Sequence, residues 1–275
     1  MQFQPAKNID EVIARLDEII QWCSDNRNPL GIFPALYVVV TEKVKEGIAR
    51  GDVFQDGPRM EKLDVIFANR YLEALHQYRN GEKPTQTWSE SFVACAQFPS
   101  YLIIQELLLG MNAHINLDLG VAAATTCPGP SIHGLKQDFM NINVILNALV
   151  DDIKDDLERL SPRFGWVIRH MVGEDAIMEF SIKIARNGAW KFSKELASTP
   201  AGNWPSAIQK RDVSTVRIAK ILRDPSFVGK AIVWWVKRAE SKDIPHILKE
   251  LRDTATAKIK FPNQVAAKYH EAMAD

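Results

Sequence analysis

No stretch of this sequence is dominated by charge of one sign. Lys and Arg total 34, as do Asp and Glu, so the formal net charge is zero. Nucleic-acid binders draw affinity from clustered cations on phosphates, so this pattern predicts no nucleic-acid partner. Cysteine is scarce: Cys23, Cys95 and Cys127 are widely spaced and form neither a CxxC pair nor an even disulfide framework. That usage suits a reducing compartment and predicts a cytoplasmic protein. The first residues, MQFQPAKNIDEVIARL, lack the cationic and apolar regions of a secretory signal. The longest apolar stretches are broken by Glu, Asn, His or Asp before reaching ~18 residues, so no membrane span is expected. GxSxG, P-loop and GxGxxG patterns are absent, which leaves a serine triad, a nucleotide loop and a Rossmann site without support.

Strand-like alternation is also missing, as is any repeat of ~20–50 residues. What remains is helical period almost everywhere. Asn8 or Asp10 can cap a first helix whose face is Ile9, Val12, Ile13, Leu16, Ile19 and Ile20, ending before Asn26. A second runs from about Phe33 to Arg50 with Gly51 as its stop, and a third from about Pro58 to Tyr78. Further helices are expected at a short segment from Thr87, at about 100–120, and at Gly134–Leu160, Glu174–Ser198, Pro205–Leu222, Pro225–Ala239, Asp243–Ala257 and Pro262–Met273. Ala122–Ser131 reads as the clearest loop. The fold class is therefore all-α: one compact multi-helix bundle spanning 1–275, with 200–275 as a peripheral helical layer.

The stretch Tyr101–Gly120, YLIIQELLLGMNAHINLDLG, is apolar on nearly every side yet carries Glu106, Asn112, His114, Asn116 and Asp118. A helix apolar all round is buried, and buried ionisable groups need partners. Glu106, Gly110, His114 and Asp118 fall on one i, i+4 line. Two other helices can answer them. Met60–Tyr78 carries Asp64, Asn69, Arg70 and His76, and Leu135–Leu160 carries Asp138 beside an apolar stripe including Phe139, Ile142, Leu146, Ile153 and Leu157. Carboxylates and histidines facing inward from several helices are what bundle metal sites are made of. The oxygen-rich set predicts a divalent metal, Mn, Fe, Mg or Zn, held by His114, Asp118, Glu106 and Asp138, with Asn112 and Asn116 lining the site. A hydrogen-bond network that fixes helix register uses the same residues equally well.

Two further features carry chemistry. Asp151-Asp-Ile-Lys-Asp-Asp156 resembles the DDxxD magnesium–diphosphate motif of class I terpene synthases; its plainer reading is the solvated end of a helix. Arg186 and Trp190, one turn apart, either line a pocket or stack on each other. His133, His170, His246 and His270 are expected at the surface.

The blocks Gly31–Tyr37, Leu63–Leu72, Gly110–Leu119 and Asp138–Asn143 resemble the hallmark of a mostly bacterial family known only as a domain of unknown function, over about residues 30–200. That resemblance marks Asp64, Asn69, Arg70, Asn112, His114, Asn116, Asp118 and Asp138 as site positions and implies no activity. Leu109-Gly110…His114…Asp118 is more distantly similar to the HxxxD helix of zinc-dependent phospholipase C and related nucleases, although the further ligand histidines and N-terminal Trp of that family are missing. These features lead to an expected metal-assisted hydrolase acting on a small, partly hydrophobic molecule, with Asp64, Asn69 and Arg70 as catalytic residues. Two alternatives stand beside it: a non-catalytic protein binding a small or lipid-like molecule, and a class I terpenoid-type enzyme.

Overall fold

A computed structural model describes residues 3–167, 176–224 and 227–253. Twelve α-helices and no strand occur among them. In chain order they are α1 (Ile9–Asp25), α2 (Ile32–Arg50), α3 (Gly57–Arg79), α4 (Gln86–Ala96), α5 (Ile103–Ala113), α6 (Leu119–Thr126), α7 (Lys136–Leu160), α8 (Pro162–Val167), α9 (Ala176–Ser198), α10 (Trp204–Arg223), α11 (Phe227–Lys237) and α12 (Ile244–Asp253). The expected helix at Pro262–Met273 lies outside the described residues. So do Pro225, Ala257 and the start of the expected helix at Glu174.

Local chemistry sets most boundaries. The Asn8 side chain accepts from the Glu11 N–H and starts α1, as an N-cap does. Gly51, at φ 75, ends α2 in the left-handed conformation that glycine adopts without strain. Asp56 caps α3 by accepting from the Arg59 N–H, with Pro58 in the first turn. The expected loop Ala122–Ser131 is shorter than its sequence reads. Helix continues to Thr126, and a 3-10 segment starts at Gly129. Alanines at 122–124 and Gly120 make this stretch look featureless, but they let α6 lie against α9, where a Cβ on Gly120 would come within 2.6 Å of Phe192.

Helices α5 and α6 are one continuous rod, Ile103–Thr126, joined by a π-helical turn at His114–Asp118. The rod's 24 residues are long and apolar enough to cross a membrane, but most of it is buried by surrounding helices. α2, α3, α4, α9 and α10 pack around it. Gly110 makes this possible on one side. A Cβ there would sit 2.4 Å from the Phe33 ring, so the space on the helix face is filled from α2.

Two long-range carboxylates hold helix starts. Asp138 of α7 accepts from the Gln55 and Asp56 N–H groups at 2.6 and 3.2 Å and from the Arg59 guanidinium at 2.6 Å, fixing the entry to α3. Asp212 of α10 does the same for α4, accepting from Gln86 N, Thr87 N and the Thr87 hydroxyl. Both place a negative charge where unpaired N–H groups of a helix start need one. Arg252 of α12 bridges Asp17 of α1 and Glu42 of α2, tying that late helix to the start of the chain.

The acidic run is not uniformly solvated. Asp155 is exposed, but Asp156 is 2% exposed and paired with Arg159, while the Asp151 side chain lies outside the described residues. Asp156→Asn is accordingly expected to destabilise the protein by about 1–3 kcal/mol, the cost of disturbing a buried charged hydrogen bond. Asp155→Asn is expected to stay within ~0.5 kcal/mol. Urea denaturation of the two single variants checks this; equal, negligible effects would contradict the burial of Asp156.

Candidate functional site

Asp118 is the anchor of the buried polar cluster. It is fully buried and accepts two hydrogen bonds from other helices: Arg70 Nε of α3 at 2.6 Å and Trp88 Nε1 of α4 at 2.7 Å. Burial pushes its pKa up, but Arg70, His114 and Trp88 outweigh burial and hold the carboxyl below its ordinary value. Asp118 is therefore an ionised carboxylate whose charge is met by a guanidinium.

His114 sits one turn earlier, with Nδ1 3.8 Å from Asp118 Oδ2, an ion-pair separation too long for a hydrogen bond. The imidazole is packed among aromatic rings instead. Phe67 stacks on it at 3.5 Å between centroids and 10° between planes, and Tyr37 meets it edge-on at 4.4 Å. Burial lowers the His114 pKa, and the nearby Asp118 only partly restores it, so the ring is neutral at neutral pH. Neither ring nitrogen has a hydrogen-bond partner.

These rings border a cavity of about 690 Å³ between the central rod and α2, α3, α7 and α9. Among the described lining residues six are polar, Tyr37, Asp64, Asn112, His114, Asn116 and Arg186, and the others are apolar. Four of the six leave a buried polar atom unpartnered: the Tyr37 hydroxyl, Asp64 Oδ2, both His114 nitrogens and Arg186 Nε. Such atoms cost roughly 1–3 kcal/mol each when buried alone, so five on the wall of one void is an arrangement that needs an explanation. Burial pushes the Asp64 carboxyl up to about 7, with Glu61 adding to it. Burial first, and the field of Asp64 second, raise the Tyr37 phenol well above its usual range. Ile184 and Ile218 line the cavity and are 51% and 42% exposed, which puts its opening between α9 and α10.

The π turn shapes this wall. One extra residue in a turn rotates the residues after it by about 100° relative to a regular helix. Inside it, the Asn116 carbonyl is taken by Arg211 Nε of α10 at 2.7 Å. Asn116 Nδ2 donates to Asn112 Oδ1 at 3.0 Å, and Asn112 donates onward to the Thr215 carbonyl. The two asparagines are thus satisfied structural members of the cavity wall.

The remaining sequence candidates are placed elsewhere. Glu106 is buried against Cys95 of α4, whose thiol donates to Oε2 at 2.9 Å, and it does not line the cavity. Asp138 is occupied by the α3 entry. Asn69 holds the N-terminal segment, its amide exchanging two hydrogen bonds with the backbone of Ala6. Arg70 binds Asp118 rather than facing the cavity. The structure therefore brings His114 and Asp118 together and places Asp64 on the same cavity as His114. Glu106, Asp138 and Asn69 are not part of that site. His133 and His246 are exposed, and His170 and His270 lie outside the described residues.

The four expected metal ligands, His114, Asp118, Glu106 and Asp138, are not brought into one donor set. Among the described residues no three His, Cys, Asp or Glu side chains form a metal-ligating group. Asp118 already gives one oxygen to a guanidinium, which repels a second cation, and the other to an indole N–H. In the acidic run, Asp156, the residue after the DDxxD pattern, is buried against Arg159, whereas Asp155 is exposed and Asp152 half-buried.

Trp88 and Tyr37 were not recognised as participants in the sequence. Trp88 carries the second hydrogen bond to Asp118; the signal was a buried Trp, whose N–H needs an acceptor. Arg186, expected either to line a pocket or to stack on Trp190, lines the cavity and stacks on Phe139 at 4.7 Å.

The raised Asp64 pKa carries a stability consequence. A carboxyl whose folded pKa exceeds its unfolded value of about 4 binds its proton more tightly in the native state. Its effect on stability is therefore most favourable below pH ~4 and declines as pH rises toward the folded value of about 7. Asp64→Asn is expected to raise stability at pH ~8 by about 1–3 kcal/mol and to change it little at pH ~4. Thermal unfolding at the two pH values checks this, and equal shifts at both would contradict it.

No curated protein and no solved structure matches the chain. One protein family does, over residues 9–225, a wider span than the sequence blocks indicated and one that takes in every residue of the cavity wall. The chain belongs to that family, described as a family of unknown function (DUF5995).

Proposed function

We propose that this protein binds a small, mostly apolar molecule in the cavity beside the central rod, with Tyr37, Asp64 and His114 hydrogen-bonding a polar group of that molecule. The observation that carries this reading is the set of unpartnered buried polar atoms facing an otherwise apolar void of about 690 Å³. Pockets of that size and composition suit a ligand of drug-like dimensions. A ligand hydroxyl or carbonyl would relieve the unpaired Asp64 and His114 atoms, and its apolar body would cover Leu108, Met111, Ile142 and Leu146. The Arg70–Asp118–Trp88 bonds hold the π turn, and with it His114, against α3 and α4. The role of those bonds is to orient the cavity wall.

Acid–base catalysis on the bound molecule is the second reading, and Asp64 is what favours it. A carboxyl with a pKa of about 7 inside a cavity exchanges protons near neutral pH, as a general acid or base must. The metal-assisted hydrolysis expected from the sequence draws no support from the donor groups of the described residues.

The test uses N-phenyl-1-naphthylamine, an apolar dye whose emission rises in dry surroundings. Saturable binding at one dye per chain is expected. Met111→Trp, which fills the cavity, is expected to abolish it. His114→Phe, which keeps the ring packing and removes both nitrogens, is expected to leave the dye bound. It should weaken a hydroxyl-bearing analogue by about fivefold, the loss of one net hydrogen bond. Dye bound equally by Met111→Trp, with circular dichroism showing that variant folded, would overturn the proposal.

A further inference from the structure

Arg186 is 5% exposed, yet no described carboxylate pairs with it. Its Nη2 donates to the Phe139 carbonyl, its guanidinium lies 4.7 Å over the Phe139 ring, and its Nε has no partner. Burial alone pulls its pKa down to about 10, which still leaves it fully charged at neutral pH. A buried cation without a counterion is among the costliest features a fold can hold. Among the other described titratable groups on the cavity, burial disfavours the charged forms of His114 and Tyr37 and raises Asp64 to about 7, and no ion pair joins Asp64 to Arg186. The two asparagines carry no charge. Among the described lining residues the cavity therefore holds one unpaired positive charge in an apolar setting, with aliphatic side chains of Ile142, Leu146, Ile153 and Leu157 along α7.

We infer that the ligand is an amphipathic anion, its acidic head paired with the Arg186 guanidinium and its hydrocarbon chain lying along the apolar wall of α7. This rests on the cavity-binding reading above. The planar guanidinium is suited to a carboxylate or a phosphate monoester, either of which it grips through two parallel N–H bonds. The opening beside Ile184 lies on the same helix as Arg186, so a chain entering there passes the cation.

Displacement of the bound dye by three hexadecyl compounds tests the inference: the carboxylic acid, its methyl ester and the phosphate monoester. With the native protein, at least one anion is expected to compete about tenfold or more better than the ester, the usual gain from a charge-assisted hydrogen bond. Whichever anion wins identifies the head group. Arg186→Met, which keeps the length of the side chain and removes its charge, is expected to bind acid and ester alike. Arg186→Lys is expected to keep part of the preference, showing that charge rather than packing is read. Equal competition by anions and ester at the native protein would overturn the anionic ligand and leave the apolar cavity standing. The same holds for a preference that survives Arg186→Met. If none of the three displaces the dye while the dye itself binds in the cavity, the inference fails too. If the dye does not bind at all, the cavity reading falls with it.

Discussion

The carboxylate of Asp118 is the point on which the surrounding structure depends. A fully buried anion on an apolar helix costs several kcal/mol unless its charge and lone pairs are met. Here α3 brings Arg70 and α4 brings Trp88, so meeting that requirement fixes two helices against the central rod at one depth. Removing any of the three groups leaves a buried polar atom stranded, and the register of those helices is correspondingly specified. His114 is carried by the same turn but is not used by the anchor. Its nitrogens stay unpaired and face the cavity.

That division explains how one helix can be both core and site. Residues Leu107, Leu109, Leu117 and Leu119 bury the rod. The polar residues at and just before the π turn are then spent in three ways. Asp118 is ion-paired, Asn112 and Asn116 close a hydrogen-bonded chain to α10, and His114 is left open. The π turn makes room for this by loosening the backbone ladder where Arg211 can satisfy the Asn116 carbonyl. Such turns recur at functional sites because they re-aim side chains that a regular helix would direct elsewhere.

Helical period made the secondary structure legible, and caps such as Asn8 and Gly51 made its boundaries so. The buried rod was visible because charge is so sparse along it. What could not be read were relations between helices. Glu106 and His114 lie two turns apart on a regular stretch of helix, yet Glu106 turns to Cys95 of α4 while His114 lines the cavity, and that choice of neighbour has no local signature. Asp138 looked like a site carboxylate because its partners, the Gln55 and Asp56 amides, are backbone groups with no signature in sequence. Arg70 and Asp118 were both marked, yet nothing local shows that residues 48 positions apart bond to each other. The cavity itself was hidden for the same reason. Ile142, Leu146, Ile153 and Leu157 read as core on α7, and only the packing of neighbouring helices shows that they face a void.

The account turns on His114 being a neutral, unpaired imidazole beside an anion already satisfied by Arg70. Nitrogen NMR of protein labelled at histidine, with the His114 signal assigned by its loss in His114→Phe, measures this directly. Neutral-ring shifts are expected at pH ~7 and above, because burial lowers the pKa below the usual value of about 6.5. One ring nitrogen is expected to move when the cavity is filled. An imidazolium signal at pH ~7, with no response to a bound molecule, would mean that His114 and Asp118 form a closed ion pair and would contradict the account.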